Sequence, residues 1–315
     1  MPPQANAPLP PGYQLDQYRI ERQLSLGGFS IVYLAYDAQG AAVAIKEYLP
    51  NALDLRREGQ IEPVVLAEHE AAFRYGMKCF FEEGRALAKL MHPNLVRVLN
   101  FFRANGTVYM VMRFERGRTL HDLIQKHRGA LRERFIRGLF IRLLNGLREV
   151  HAHKLLHLDI KPSNIYVRTD GTPVLLDFGA ARQTAVNGQP ALRAMYTPGF
   201  ASPEQLDRSS PLGPWTDIYS VGASLYACLA GSAPPPASER QREDTYQPAT
   251  KAFAKEHSSQ LLETIDWCLQ LDPLARPQSV YALQKAMARC EPDEPMPGTV
   301  FTDLGAKIKA FIGRS

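Results

Sequence analysis

The sequence of 315 residues predicts an α+β protein, in which a small antiparallel sheet with one main helix precedes a larger, mostly helical part. Short apolar runs separated by glycine turns occupy residues 18–46 and 95–114, which is the pattern of strands joined by hairpins. Farther along, the apolar residues recur at helical spacing, in an amphipathic stretch over 135–153 and in a more continuously apolar one over 218–230. Strands that come first, with helices after them, indicate the α+β class.

Composition and charge exclude several classes of protein. A hydrophobic content of 45% over this length is enough for a substantial buried core. The formal net charge of +5 is mild, and no Lys/Arg run with interleaved aromatic residues suggests a nucleic acid partner. The four cysteines are far apart and form no C-x-x-C pair, which argues against a disulfide framework and against a zinc site. We therefore expect a reducing, cytoplasmic location.

Two polar motifs carry the chemistry. The first, HLDIKPSN, contains Asp159, Lys161 and Asn164, and the second is the DFG sequence that begins at Asp177. A transferring phosphoryl group needs its charge neutralised, its metal held by hard oxygen ligands and its attacking hydroxyl oriented. Asp159 can orient and deprotonate an alcohol, Lys161 can balance phosphate charge, and Asn164 and Asp177 can hold Mg²⁺. The two motifs together predict phosphoryl transfer.

At these motifs the sequence resembles the catalytic loop and the metal-binding turn of the eukaryotic-like protein kinases, in their bacterial Ser/Thr (Hanks-type) branch. The resemblance implies a bilobal protein kinase-like fold, ATP as the phosphate donor, and Mg²⁺ as the metal with Mn²⁺ as the alternative. It implies protein Ser/Thr hydroxyls as acceptors, including those of the chain itself. The corresponding boundaries are a disordered Pro-rich leader over 1–17, a small lobe over about 18–112, a large lobe over about 113–290 and a tail over 291–315.

A strand, a glycine turn and a second strand correspond by resemblance to the glycine-rich loop that covers the phosphates of ATP. We call residues 24–32 the flap. Only Gly27 keeps its place in the family pattern, because Ser25 and Ser30 stand at the first and third glycine positions. A serine is tolerated there where φ stays negative, so the departure bears on nucleotide affinity more than on the fold. The flap residues expected to contact the nucleotide are Leu24, Ser25, Leu26, Gly27, Gly28, Phe29, Ser30, Ile31 and Val32.

Lys46, at the end of the third predicted strand, corresponds to the lysine that holds the α- and β-phosphates and pairs with a glutamate on the next helix. Glu83 shares one helical stripe with Phe80, Leu87 and Leu90, whereas its neighbour in the sequence is rotated by about 100°. Glu83 is therefore the predicted partner. The segment over 47–77 is longer than in most kinases, and we consider two readings: an element that positions this helix or docks a partner, and an elaborated helix that packs on the small lobe.

The strands predicted over 95–102 and 107–114 flank an Asn-Gly turn and complete the sheet. By resemblance, Met112 is the gatekeeper, and the hinge that follows it pairs its backbone with the adenine edge. The hinge starts with an arginine where the family usually has a glutamate, which is tolerable because recognition is by the main chain. The remaining residues expected in the nucleotide site are Ala44, Lys46, Met112, Arg113, Phe114, Glu115, Asn164, Tyr166 and Asp177.

The segment after the DFG motif resembles the peptide-binding segment of protein kinases. The resemblance implies that Thr197 bonds to Asp159 and Lys161, a feature of Ser/Thr kinases. It also implies a buried ion pair between Glu204 and Arg276. A third carboxylate, Asp217, is expected to hold the backbone of the catalytic loop from the start of the buried central helix.

One departure concerns regulation. Leu158 stands where many regulated kinases carry an arginine that binds the phosphate of a phosphorylated activation loop. We therefore predict that activity does not depend strongly on phosphorylation of this loop, even though Thr184 or Thr197 can be modified.

Two other functions remain open from the sequence. The serine-substituted flap suggests a pseudokinase scaffold that binds nucleotide, although Lys46, Asp159 and Asp177 are all present. A small-molecule kinase would share the H-x-D-x-x-x-x-N loop, but the segment around Thr197 argues against it. Contact with a membrane is expected at most through the tail, because the longest uncharged run, 218–238, is interrupted by glycines and prolines.

Overall fold

The computed structural model describes residues 6–53, 55–127, 131–177, 196–207 and 209–288, which form two lobes. In the small lobe one helix packs on a six-stranded antiparallel sheet of order β1-β2-β3-β4-β6-β5. The elements of this lobe are β1 (Gln14–Leu15), β2 (Tyr18–Leu26), β3 (Ser30–Tyr36), β4 (Ala42–Tyr48), α1 (Glu70–Leu87), β5 (Val98–Ala104) and β6 (Thr107–Arg113).

The predicted hairpin between β5 and β6 forms around Asn105 and Gly106. Both residues have positive φ angles, 48° and 67°. Positive φ at both central positions is what a tight two-residue hairpin turn of type I′ requires. Strand β5 begins at Val98, three residues later than predicted, because the chain before it leaves the sheet to contact the large lobe.

The large lobe is mostly helical, with a small three-stranded sheet, β7-β8-β9, at its upper edge. Helix α5 lies at its centre and is buried on nearly all sides, so it has no polar face, whereas α3 buries one apolar stripe. The elements of this lobe are β7 (Gly117–Thr119), α2 (Leu120–His127), α3 (Glu133–Ala152), β8 (Ile165–Arg168), β9 (Pro173–Leu175), α4 (Pro203–Leu206), α5 (Pro214–Ala230), α6 (Ala237–Arg240), α7 (Ala249–Ala252), α8 (Ser259–Cys268) and α9 (Val280–Ala288).

The prediction of a disordered leader over 1–17 is wrong for residues 6–17, which pack on the small lobe. Asn6 and Leu9 are each 2% exposed, and Leu15 is 1% exposed within β1. The proline-rich composition suggested disorder, but this segment buries apolar side chains and pairs its backbone with the lobe.

Between α1 and β5, the chain bonds directly to the large lobe. Leu175 N donates to Asn94 O at 2.9 Å, and Val96 N donates to Leu175 O at 3.0 Å. The Asn94 side chain donates to Pro173 O at 2.7 Å. These contacts hold the base of the glutamate helix against the strand that leads to Asp177.

Several predicted features lie outside the described residues. They are Phe178 and Gly179 of the DFG motif, Thr184, and the tail over 291–315. Within the ranges that are described, no helix is both long and apolar enough to cross a membrane.

Candidate active site

The catalytic loop is held in place by a buried carboxylate on the central helix. Asp217, 0% exposed, accepts hydrogen bonds from the backbone N–H of His157 at 2.9 Å and from that of Leu158 at 2.8 Å. Its carboxylate also lies 2.7 Å from Nε2 of His151. Burial by itself raises the pKa of Asp217, but the hydrogen bond and charge of His151 outweigh it, and the pKa is lowered. The ionised carboxylate can thus hold Leu158 at a φ of 61°, an unusual angle for a branched residue.

His157 joins this loop to the strand end that carries Asp177. Its Nδ1 accepts the backbone N–H of Asp159 at 3.2 Å, so the proton resides on Nε2, which donates to Leu176 O at 2.8 Å. Burial lowers the pKa of His157, which favours this neutral form. The ring therefore fixes the spacing between the predicted base and the predicted metal ligand.

Asp159, Lys161, Asn164 and Thr197 meet in one hydrogen-bonded cluster. Lys161 Nζ lies 3.0 Å from Asp159 Oδ2 and donates to Thr197 Oγ1 at 2.9 Å. The Thr197 hydroxyl donates to Asp159 Oδ1 at 3.2 Å. Asn164 Nδ2 donates to both the backbone oxygen and Oδ2 of Asp159, at 2.9 and 3.0 Å. The contacts implied for Thr197 by the resemblance are present.

Lys46 lies between two carboxylates at the junction of the lobes. Its Nζ is 3.0 Å from Asp177 Oδ1 and 4.0 Å from Oε1 of the buried Glu83. Burial by itself lowers the pKa of Lys46, but the charges of Asp177 and Glu83 outweigh it and raise the pKa. Burial by itself raises the pKa of Asp177, and the Lys46 cation outweighs it, so this pKa is lowered. Lys46 and Asp177 are therefore both charged at neutral pH.

The flap forms with its serines in ordinary backbone conformations. Ser25 and Ser30 are absent from the described residues with positive φ, and Gly27 N donates to Ser30 O at 2.8 Å across the tip. One nucleotide contact needs correction: the side chain of Ile31 is 0% exposed in the core of the lobe, while Val32 is only partly buried. Because neighbouring strand residues face opposite sides, Val32 can face a nucleotide and Ile31 cannot.

Met112 and the predicted hinge residues lie where the last strand of the small-lobe sheet leads into the large lobe. Met112 is 7% exposed and pairs with Ala44 across the sheet, and Arg113 is exposed. The Glu115 carboxylate accepts two hydrogen bonds from Arg168, at 2.6 and 2.7 Å, so both of its oxygens are already engaged by the protein. Only the backbone of Glu115 is left for adenine.

The peptide-binding segment shows the predicted ion pair and one contact that sequence reasoning missed. Arg276 donates to both carboxylate oxygens of Glu204, at 2.8 and 3.1 Å. Gln205 Nε2 donates to the backbone oxygen of Leu158 at 2.9 Å, and its Oε1 accepts the backbone N–H of Ser202 at 3.1 Å. The spacing S-x-x-Q is a capping-box signature, so Gln205 had a signal in the sequence.

The donor set suits a divalent metal with oxygen ligands. Asp177 is ionised, and because the amide nitrogen of Asn164 binds Asp159, its amide oxygen is the atom left for a metal. One carboxylate and one amide, completed by phosphate oxygens and water, match the way Mg²⁺ is held in phosphotransferases. Among the described residues there is no cluster of three His, Cys, Asp or Glu side chains that would form a separate metal site.

Comparison with known proteins agrees with this geometry. The family model described as "Protein kinase domain" matches residues 18–287. Human serine/threonine-protein kinase Nek5 is 29% identical over 84% of this chain and 35% of its own length. Mycobacterium tuberculosis serine/threonine-protein kinase PknK is 30% identical over 91% of this chain and 23% of its own. The chain thus spans about a third or less of the length of these relatives.

Solved structures include a close match in shape. The structure titled "PpkA-294 apo form" superposes with a TM-score of 0.81 and 38% identity, and the match covers 89% of this chain and 99% of that one. The kinase domain of M. tuberculosis PknI, at 20% identity and a TM-score of 0.65, shares the fold. The predicted bilobal fold and the predicted resemblance to bacterial Ser/Thr kinases are both confirmed. The chain belongs to the protein kinase family.

Proposed function

We propose that this chain is a protein Ser/Thr kinase that transfers the γ-phosphate of ATP to hydroxyl groups of proteins, including its own. The observation that carries the proposal is the hydrogen-bonded triangle of Asp159, Lys161 and Thr197. It joins the predicted base to the segment that binds peptide in Ser/Thr protein kinases. A kinase for small molecules does not need a connection between the base and a peptide-binding segment.

Each charged group has one role in this reaction. The oxygen of the attacking hydroxyl bonds to the γ-phosphorus as the bond to ADP breaks, and Asp159 accepts the hydroxyl proton. Lys161 balances charge on the transferring group. Lys46 holds the α- and β-phosphates, with Glu83 as its second partner. Mg²⁺, which we propose ahead of Mn²⁺, would be held by Asn164 and Asp177 and would neutralise phosphate charge. The buried cysteines Cys228 and Cys268 form no disulfide in the part of the chain that the structure describes, which supports a reducing cytoplasmic setting.

The test is transfer of labelled phosphate from ATP to the chain itself and to a generic basic protein, with Asp177→Ala as the control. We expect transfer by the wild-type chain and a loss of at least about 10²-fold in the control, as for other electrostatic stabilisers. Nucleotide binding without transfer in either Mg²⁺ or Mn²⁺ would favour a pseudokinase scaffold. Transfer to a small molecule alone would favour a small-molecule kinase.

We also propose that activity does not require a phosphorylated activation loop. Leu158, 3% exposed, offers no cation to such a phosphate. Its backbone is instead held by two protein groups, the Asp217 carboxylate and the Gln205 amide. Phosphatase-treated protein should keep its activity; activity that disappears and returns with phosphate on Thr184 would contradict this.

A further inference from the structure

Asn6 is a buried polar residue whose side-chain oxygen, side-chain nitrogen and backbone N–H all make hydrogen bonds. Its side-chain oxygen accepts the backbone N–H groups of Leu55 at 2.6 Å and Arg56 at 3.0 Å. Its side-chain nitrogen donates to Pro50 O at 3.0 Å, and its backbone N–H donates to the side-chain oxygen of Asn51 at 3.0 Å. One side chain thus closes the loop that follows β4. We call residues 49–53 and 55–56 the latch loop.

The residues next to Asn6 bind the same loop through a buried ionic network. Arg56, 1% exposed, donates to Ala7 O at 2.7 Å and to both carboxylate oxygens of Glu47, at 2.7 and 2.6 Å. Leu9 is buried, and its backbone N–H donates to the Tyr33 hydroxyl at 3.1 Å. That hydroxyl donates to Glu47 at 2.6 Å. The buried charges are paired and hydrogen-bonded, so this arrangement is held in one geometry.

The other edge of the latch loop binds the tip of the flap. The backbone N–H of Leu49 donates to Phe29 O, and that of Asn51 donates to Gly28 O, each at 2.9 Å. On its β2 side the flap is held by backbone pairing with β3 and not by packing, because every residue of β2 from Glu21 to Leu26 is exposed. At the tip, where this pairing ends, the two bonds from the latch loop and the bond between Gly27 and Ser30 hold Phe29 and Gly28 in place.

We propose that Asn6 is a positioning residue for the flap. It holds the latch loop so that Leu49 and Asn51 keep Phe29 and Gly28 over the phosphates of ATP. This inference rests on the proposed function, since it assigns the flap to Mg·ATP. In a flap whose glycines are partly replaced by serine, this external support takes over part of the positioning, and displacement of residues 6–9 lowers nucleotide affinity.

The experiment compares Asn6→Ala and Asn51→Ala with the wild-type chain at full length. We expect the Kd of a non-hydrolysable ATP analogue, measured in the presence of Mg²⁺, to rise about two- to tenfold in each variant, because the net contribution of hydrogen bonds that position a loop is of this size. The kcat at saturating ATP should change by less than about twofold. In the nucleotide-free protein, amide hydrogen exchange over residues 27–31 should become faster. The two substitutions remove different bonds, those of the Asn6 side chain and the one from the Asn6 backbone N–H to Asn51. Because both act on the flap through the latch loop, the Kd of the double variant should rise by less than the product of the two single increases.

The matched control is Tyr13→Phe. It removes the bond from the Tyr13 hydroxyl to Asn105, 3.0 Å, which ties the same N-terminal segment to the lobe away from the flap. We expect lower thermal stability with unchanged analogue affinity and flap exchange. A rise in Kd as large as that of Asn6→Ala would show a general effect of loosening and overturn the proposal.

Three further outcomes each have one interpretation. If Asn6→Ala does not fold, Asn51→Ala decides, because it removes only a side-chain acceptor and leaves the backbone N–H that bonds to Gly28. Folded variants with wild-type affinity and wild-type flap exchange would overturn the inference. If the wild-type chain transfers no phosphate, the proposed function fails, and flap exchange in the nucleotide-free variants still tests the role of Asn6.

Discussion

The hydroxyl of Thr197 both accepts and donates within the active site. It accepts a hydrogen bond from Lys161 and donates one to Asp159, so it fixes the distance between a cation and the predicted base. A methyl group cannot replace either bond. Hydrogen bonds to charged groups are worth more than neutral ones, and each is made here at the reacting end of the site.

We therefore expect Thr197→Ala to lower kcat/KM for a protein substrate about ten- to hundredfold, the equivalent of about 1.5–3 kcal/mol. Thr197→Ser keeps the hydroxyl and serves as the control, with a rate near that of wild type. Steady-state kinetics and a melting curve of each variant provide the measurement. Equal rates for Ala and Ser would show that the hydroxyl has no part in the reaction.

His157 should make stability depend on pH. Burial lowers its pKa in the folded chain below the ordinary value of about 6.5, so below pH 6.5 the unfolded chain binds a proton that the folded chain does not. The free energy of unfolding must then fall as the pH falls from 7 to 5, with a slope from this residue of at most about 1.4 kcal/mol per pH unit.

Urea unfolding at several pH values measures this slope. His157→Gln keeps a donor for Leu176 O but cannot titrate, so it should show a smaller decrease towards pH 5. The carboxylate of Asp217, whose pKa is also lowered, loses its contribution only near and below its ordinary pKa, about 3.9, and stays outside this window. The same slope in both proteins would contradict the assignment to His157.

At the level of elements, the position of α1 depends on a missing side chain. A Cβ on Gly76 would lie 1.8 Å from the hydroxyl oxygen of Tyr48 and 2.5 Å from its ring carbon Cζ. Tyr48 is 3% exposed and its hydroxyl has no hydrogen-bond partner among the described residues. Burial raises the pKa of Tyr48. The helix that carries Glu83 therefore approaches the sheet as closely as glycine permits.

We expect Gly76→Ala to destabilise the protein by about 1–3 kcal/mol through overpacking, and to lower kcat by moving Glu83 away from Lys46. Gly138→Ala in α3 is the matched control, because nothing lies within 4 Å of its Cβ, and it should stabilise by about 0.5–1 kcal/mol. Adding Tyr48→Leu to Gly76→Ala should restore activity. If Gly76→Ala changes neither stability nor kcat, the position of α1 is not set by this contact.

The contact between Gly76 and Tyr48 also bears on the role of the extra segment over 47–77. Of the two interpretations of 47–77, the structure contains a helix that begins at Glu70 and continues through Glu83, so the last eight residues of the segment belong to an elaborated helix. Helical spacing reveals such a helix, but the fit of Gly76 to Tyr48 depends on two residues that meet only in the folded lobe. The role of the segment in docking a partner stays a hypothesis.

For the molecule as a whole, Arg168 joins three parts of the chain. It is on β8 of the large lobe, binds the Glu115 carboxylate of the hinge, and donates to Pro93 O at 3.0 Å in the small lobe. The hydrogen bonds with Glu115 raise the pKa of Arg168, so the guanidinium stays charged throughout. We infer that this side chain couples the unfolding of the two lobes.

Arg168→Met should destabilise the chain by about 1.5–3 kcal/mol, since it removes charge-assisted bonds while keeping an apolar stem. When urea is added to the Arg168→Met variant, amide hydrogen exchange in β4 and β6 of the small lobe should begin at a lower concentration than the fluorescence change of Trp215 and Trp267, which both lie in the large lobe. Arg142→Met is the control, because the bonds of Arg142 to described residues, to Gly138 O and Gly171 O at 3.0 Å each, stay within its own lobe. Coincident transitions in Arg168→Met would refute the coupling.

The sequence by itself determined the order of strands and helices, the kinase motifs, and the choice of Glu83 over its neighbour. These follow from local spacing, because a motif residue keeps its role wherever the motif folds. Composition misled at the N-terminus, where prolines suggested disorder and Asn6 is in fact buried.

Only the tertiary structure decided which distant groups share one contact: Asn6 with the latch loop, Gln205 with Leu158, and Arg168 with Glu115. None of these pairs has a spacing that repeats, since each joins elements separated by at least 47 residues in the chain. The proposed chemistry of this protein could therefore be predicted from its amino-acid sequence alone. The support that holds this chemistry in place arises from packing and buried hydrogen bonds between elements, which appear when the two lobes form.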